Sequence, residues 1–126
     1  MTSTLTDVEA AREVALGPIP GVPEETQHLM LDMAKEGCWD VVYDILREHP
    51  QLARCQIAGR WSVCHQMVYH KDLEAIKKLA EIPGVNFFTA ITARGKNHQS
   101  PLLYAKEHCP AIYDWVNSNT RHTRFM

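Results

Sequence analysis

The feature that most constrains this chain is a helical pattern that recurs at a spacing of about 34 residues, within the period range of stacked repeats. The stretch SVCHQMVYHKDLEAIKKL, residues 62 to 79, is echoed upstream by LMLDMAKEGCWDVVYDIL and downstream by SPLLYAKEHCPAIYDWV. One repeat length carries Ala34 onto Val68 and Gly37 onto Lys71. A unit of this size cannot bury its apolar face alone, so it must lean on a neighbour of the same kind. A chain built this way offers a surface for gripping a partner before it offers a cavity for chemistry.

Local signals divide the chain further. TDVEAAREVAL begins with Thr6 and Glu9 at capping-box spacing and is followed by Gly17, which predicts a short amphipathic helix. PIPGVP, residues 18 to 23, cannot continue that helix, because its prolines remove donors and break helical geometry. It reads as a linker or as an extended arm lying on the next unit. Pro23 followed by Glu24 and Glu25 is a favourable first turn, since proline fits there and acids suit the helix dipole.

Three units follow, each read as two short antiparallel helices. In the first, Met30, Met33 and Ala34 share one helix face, Gly37 permits the turn, and Val41, Val42, Ile45 and Leu46 form the return face. In the second, Cys64, Met67 and Val68 repeat the stripe, with Leu73, Ile76 and Leu79 returning. In the third, Leu102, Leu103 and Ala105 precede Ile112, Trp115 and Val116. His49 with Pro50, and Pro83 with Gly84, end the first two units. The connectors LARCQIAGRW and VNFFTAITARGKNHQ each carry a glycine near the tip and read as hairpin fingers projecting sideways.

With these residues in place the chain resembles the ankyrin repeat family, whose unit is a β-turn finger followed by two helices with a TPLHxAA start. In the middle unit Gly59 precedes Ser62, Val63, Cys64 and His65 in the TPLH slot, and Met67 and Val68 take the paired small positions. The third unit keeps Gly95, Ser100, Pro101, Leu102 and Ala105, with one residue deleted near Pro110. The first keeps Ala34, Gly37, Val41, Val42, Ile45 and Leu46 but has no TPLH. Val63 stands for the motif's proline, Met67 and Val68 for two alanines, and Lys71 for a glycine. Bulk at these positions is expected to spread the helices or change the curvature of the stack.

The resemblance implies an all-α, mostly helical, ankyrin-like solenoid with projecting loops and an N-terminal capping helix. The expected layout is residues 1–25 as cap and linker, 26–117 as the repeat domain and 118–126 as a polar tail. The implied function is non-enzymatic association with another protein, as adaptor or inhibitor, through finger tips and the concave face of the first helices. Position then selects Gln56, Arg60 and Trp61 on the first finger and Arg94, Lys96, Asn97 and His98 on the second. Gln66, Tyr69, His70, Tyr104 and Glu107 would face the concave side. Each has a plainer reading. Trp61 serves equally well as a buttress between fingers, Trp39 and Trp115 fall in phase with core positions, and His65 matches a histidine that bonds the turn backbone. The Arg94 to His98 tip is what any solvated loop can carry.

Composition bounds the alternatives. With 126 residues and a formal net charge of −2, the chain is one domain by length and has no overall basic field for nucleic acid or anionic lipid. The RHTRFM end and the Arg94 to His98 tip are too small for a phosphate footprint, so a nucleic-acid role is held only as an alternative. No apolar run approaches the roughly 18 to 20 residues that span a bilayer, and the start lacks a signal-peptide pattern, which together lead us to expect a cytoplasmic protein without a membrane anchor. Cys38, Cys55, Cys64 and Cys109 show no CxxC pairing and are expected as reduced thiols. A thiol enzyme using Cys55 or Cys109, or a zinc site using Cys64, His65 and His70 or His108 and Cys109, is the remaining alternative. Adjacent helical residues point about 100° apart, which works against a shared ion, so no cofactor and no metal are expected. The longer second finger leaves room for strand pairing with a second copy.

Overall fold

The structure, a computed structural model, describes residues 18–57, 59–93 and 99–124, with side chains as far as 119. The expected N-terminal capping helix and the second-finger residues Arg94, Lys96, Asn97 and His98 lie outside the described residues. Within them every element is helical: α1 Glu24–Lys35, α2 Trp39–Glu48, a 3₁₀ turn Pro50–Arg54, α3 Val63–Tyr69, α4 Leu73–Glu81, α5 Phe87–Thr92, α6 Pro101–His108 and α7 Pro110–Arg124. No described helix is long and apolar enough to cross a membrane.

The expected stripes supply most of the core. Met30, Ala34, Val42 and Leu46 of the first pair are wholly buried, as are Cys64, Met67, Val68, Ile76 and Leu79 of the second and Ala105, Ile112 and Val116 of the third. Two residues depart from their expected faces. Val41 is exposed while Tyr43 is buried, and Leu103 is exposed on α6. Tyr43 earns its place through its hydroxyl, which donates to the Ala75 carbonyl at 3.2 Å and so ties α2 to α4. That bond satisfies the one polar atom that burial of the ring would otherwise strand.

The pairs follow one another in space as in sequence. The central helix α3 packs on α1 to one side and on α6 to the other, and α4 meets α7. Polar bonds span the same joints at the repeat spacing. His65 caps its own helix, with Nδ1 accepting from the Ser62 backbone at 3.3 Å, while Nε2 donates to the Gln99 carbonyl at 2.7 Å ahead of the next unit. His70 Nε2 donates back to the Lys35 carbonyl at 3.0 Å. Trp39 Nε1 donates to the Asp72 carboxylate at 3.0 Å, so one carboxylate caps α4 and holds the preceding unit. Pro50 also packs against Gly84, where an added Cβ would meet the proline ring at 2.9 Å.

Three parts differ from the sequence-based layout. The second connector is not a bare finger, because Phe87, Ala90 and Ile91 fall at helical spacing, are buried, and follow an Asn86 cap that accepts from the Thr89 N–H. The first connector opens with the 3₁₀ turn, which buries Leu52 and Ala53. Of the residues set apart as a tail, 118–124 are the last turns of α7, which runs to Arg124. The Pro-rich segment takes the second of its two readings, an arm. Ile19 and Val22 are buried, and the enclosed Gln27 amide accepts from the Ile19 N–H and donates to the Ile19 and Val22 carbonyls.

The turn after α3 shows a local conflict. Lys71 adopts φ +56°, and Gly37, its repeat counterpart, adopts φ +78°. A side chain in the left-handed region costs about 1–2 kcal/mol, of which glycine's greater freedom in the unfolded chain gives part back. Lys71→Gly should therefore raise stability by about 0.5–1 kcal/mol, read as a higher urea midpoint at unchanged slope. Gly37→Ala should lower it by about 1 kcal/mol. An unchanged midpoint in both variants would contradict the shared turn.

Candidate functional site

Where the first helices and the first finger meet, side chains from all three pairs form a continuous row of rings. Trp39 meets His70 edge-on at 5.5 Å, His70 meets Tyr69 at 5.6 Å, and Tyr69 meets Trp61 at 5.8 Å. Trp61 then meets Tyr104 at 5.2 Å, and Tyr104 meets His108 at 4.3 Å. Trp61 also stacks on His65, with centroids 5.8 Å apart and planes within 13°. Helix geometry explains the row: Tyr69 and His70 close α3, Tyr104 and His108 lie one turn apart on α6, and Trp61 precedes the Ser62 cap. Tyr69 is 59% exposed, while Trp61 and Tyr104 are half-buried, so the row presents ring surface to solvent on a rigid base.

Beside Trp61 lies an open concavity of about 390 Å³ lined by Leu31, Lys35, Gly59, Arg60, Trp61 and Gln66. Arg60 is fixed there. Its guanidinium donates to His28 Nδ1 at 2.8 Å and to the Asp32 carboxylate at 2.5 Å, which anchors the base of the first finger on α1. The Ile57 carbonyl accepts from the Arg60 N–H at 2.9 Å and closes the turn. Lys35 is exposed and forms no ion pair with a described residue.

The expected contact residues therefore separate. Arg60, Trp61 and Gln66 line the concavity, and Tyr69, His70 and Tyr104 belong to the ring row. Glu107 is exposed at the end of α6, near Gln99 and His108. Gln56 departs from the expected finger-tip position: it is only 3% exposed, and its Oε1 has no hydrogen-bond partner among the described residues. The chain turns inward at Cys55, which is wholly buried and donates its Sγ–H to Gln27 Oε1 at 3.2 Å. Of the residues placed in the core, Trp39 and Trp115 are half-buried, Trp39 through the row and Trp115 edge-on to Phe87 at 6.0 Å.

Sequence reasoning passed over Leu31 and Lys35, and weighed His108 only as a metal ligand beside Cys109. The first unit lacks a TPLH start, so its concave positions had no motif to mark them. The repeat spacing was the available signal, since one repeat length carries Lys35 onto Tyr69.

Burial governs the thiols. It pushes Cys55 up to about 11 against the pull of Arg60 and Arg54, and pushes Cys64 up to about 12. Both therefore hold their protons, the state least suited to nucleophilic attack or metal binding. Among the described residues no three His, Cys, Asp or Glu side chains converge on a common point. No family model, curated protein or solved structure matches this chain.

Cys38 is exposed, whereas Cys55, Cys64 and Cys109 are buried. A thiol reagent at pH 8 should therefore modify one cysteine quickly in the native protein and the other three only in denaturant. Peptide mapping that found Cys55 or Cys64 modified as fast as Cys38 would contradict this packing.

Proposed function

We propose that this chain is a non-enzymatic, ankyrin-like protein-binding module that acts as an adaptor or inhibitor by occupying a partner. The single observation that carries the reading is the partly exposed ring row from Trp39 to His108, drawn from all three helix pairs. Tryptophan and tyrosine supply much contact area with few rotors, and they dominate the energetics of protein interfaces. The ring contacts and the His70 bond to Lys35 hold these side chains before any partner arrives, which lowers the entropy lost on association.

The ankyrin-like part of the proposal draws support from the positive φ shared by Gly37 and Lys71 and from the His65 cap reaching Gln99. The non-enzymatic part draws support from the thiols of Cys55 and Cys64, which burial keeps protonated.

The test is quantitative affinity capture from cell extract with wild type and a Tyr69→Ser, Tyr104→Ser double variant. Tyr69 is exposed and Tyr104 half-buried against the core, so helical content should hold while melting falls slightly. Recovery of specifically captured proteins should fall about tenfold or more, the scale of a lost interface anchor. Equal recovery by both proteins would exclude this face as the binding surface.

A further inference from the structure

We infer that the concavity beside Trp61 receives a carboxylate side chain of an acidic peptide segment, with Lys35 as its ionic partner. This inference rests on the binding-module reading and specifies the chemistry of the partner.

The lining residues define the occupant. The Trp61 ring gives an apolar wall above the almost wholly buried Leu31, Gln66 offers an amide, and Lys35 and Arg60 bring positive charge, while no carboxylate lines the space. The two cations are not equivalent. Arg60 is already engaged by Asp32 and His28, whereas Lys35 has no ion pair with a described residue. Among the described residues one positive charge is left over here, enough to balance one carboxylate. A phosphate monoester carries about −1.5 to −2 charges and is usually gripped by clustered arginines, so it is the poorer match. At about 390 Å³ the concavity admits one or two side chains of an extended segment. The apolar wall next to Lys35 favours an acid flanked by an aromatic or aliphatic residue. The pair would be weak while exposed and stronger once the peptide covers it, so binding should weaken with added salt.

The test uses a random eight-residue peptide library selected on the immobilised full chain, followed by titration of selected peptides through Trp fluorescence. Enrichment of Asp or Glu beside an apolar residue is expected. Lys35→Glu should weaken such peptides about tenfold or more, Lys35→Gln less, and replacing the peptide acid by its amide should make the peptide insensitive to Lys35→Glu. Enriched peptides that lack acids and respond to Tyr69→Ser, Tyr104→Ser but not to Lys35→Glu would overturn this inference and leave the binding-module reading standing. Preference for phosphoserine versions over carboxylate versions would also overturn it. A library with no enrichment on wild type would count against both.

Discussion

A helix of six to fifteen residues is a marginal object in water, and every described helix of this chain falls in that range. Its stability comes from an apolar stripe laid against a neighbour. The central pair shows the dependence most clearly, because α3 is covered on one side by α1 and on the other by α6. Cys64, Met67 and Val68 are fully buried on this doubly covered helix. Removing one such side chain from a packed core costs about 2–5 kcal/mol, a large share of what a small domain possesses.

Apolar stripes alone would let adjacent pairs slide, since burial is not directional. The polar bonds at the joints fix the register. His65 reaches forward to Gln99, His70 reaches back to Lys35, and Asp72 takes the indole of Trp39 while capping α4. Each links a turn or cap in one unit to the backbone or side chain of a neighbouring one, and the His65 bond also pairs a polar atom of a buried side chain. The ring row follows from this register. Tyr69 and His70 sit at the end of α3, so the bond that fixes the turn also orients the rings beside it.

Helix positions were legible because their signals are local and repeated. The stripe from Cys64 to Val68, the motif starts at Ser62 and Ser100 and the Pro50 and Pro83 stops all mark element ends in plain sequence. The connectors were harder to read. Phe87, Ala90 and Ile91 carry a helical stripe behind an Asn86 cap, but the glycine near the tip and the finger pattern drew the reading toward a loop. Gln56 was misplaced because nothing local shows that Cys55 is drawn under Gln27. Lys35 was missed because its role depends on a finger folded back from about 25 residues downstream, and only tertiary structure supplies that meeting.

The central claim is that neighbouring pairs stabilise one another through joints such as His65 to Gln99. Native-state hydrogen exchange on wild type and His65→Ala measures it most directly. If the pairs are coupled, amides of α6 as well as those of α3 should lose protection by similar amounts, although α6 itself is unaltered. Loss confined to α3, with α6 protected as before, would contradict a structure held together pair by pair.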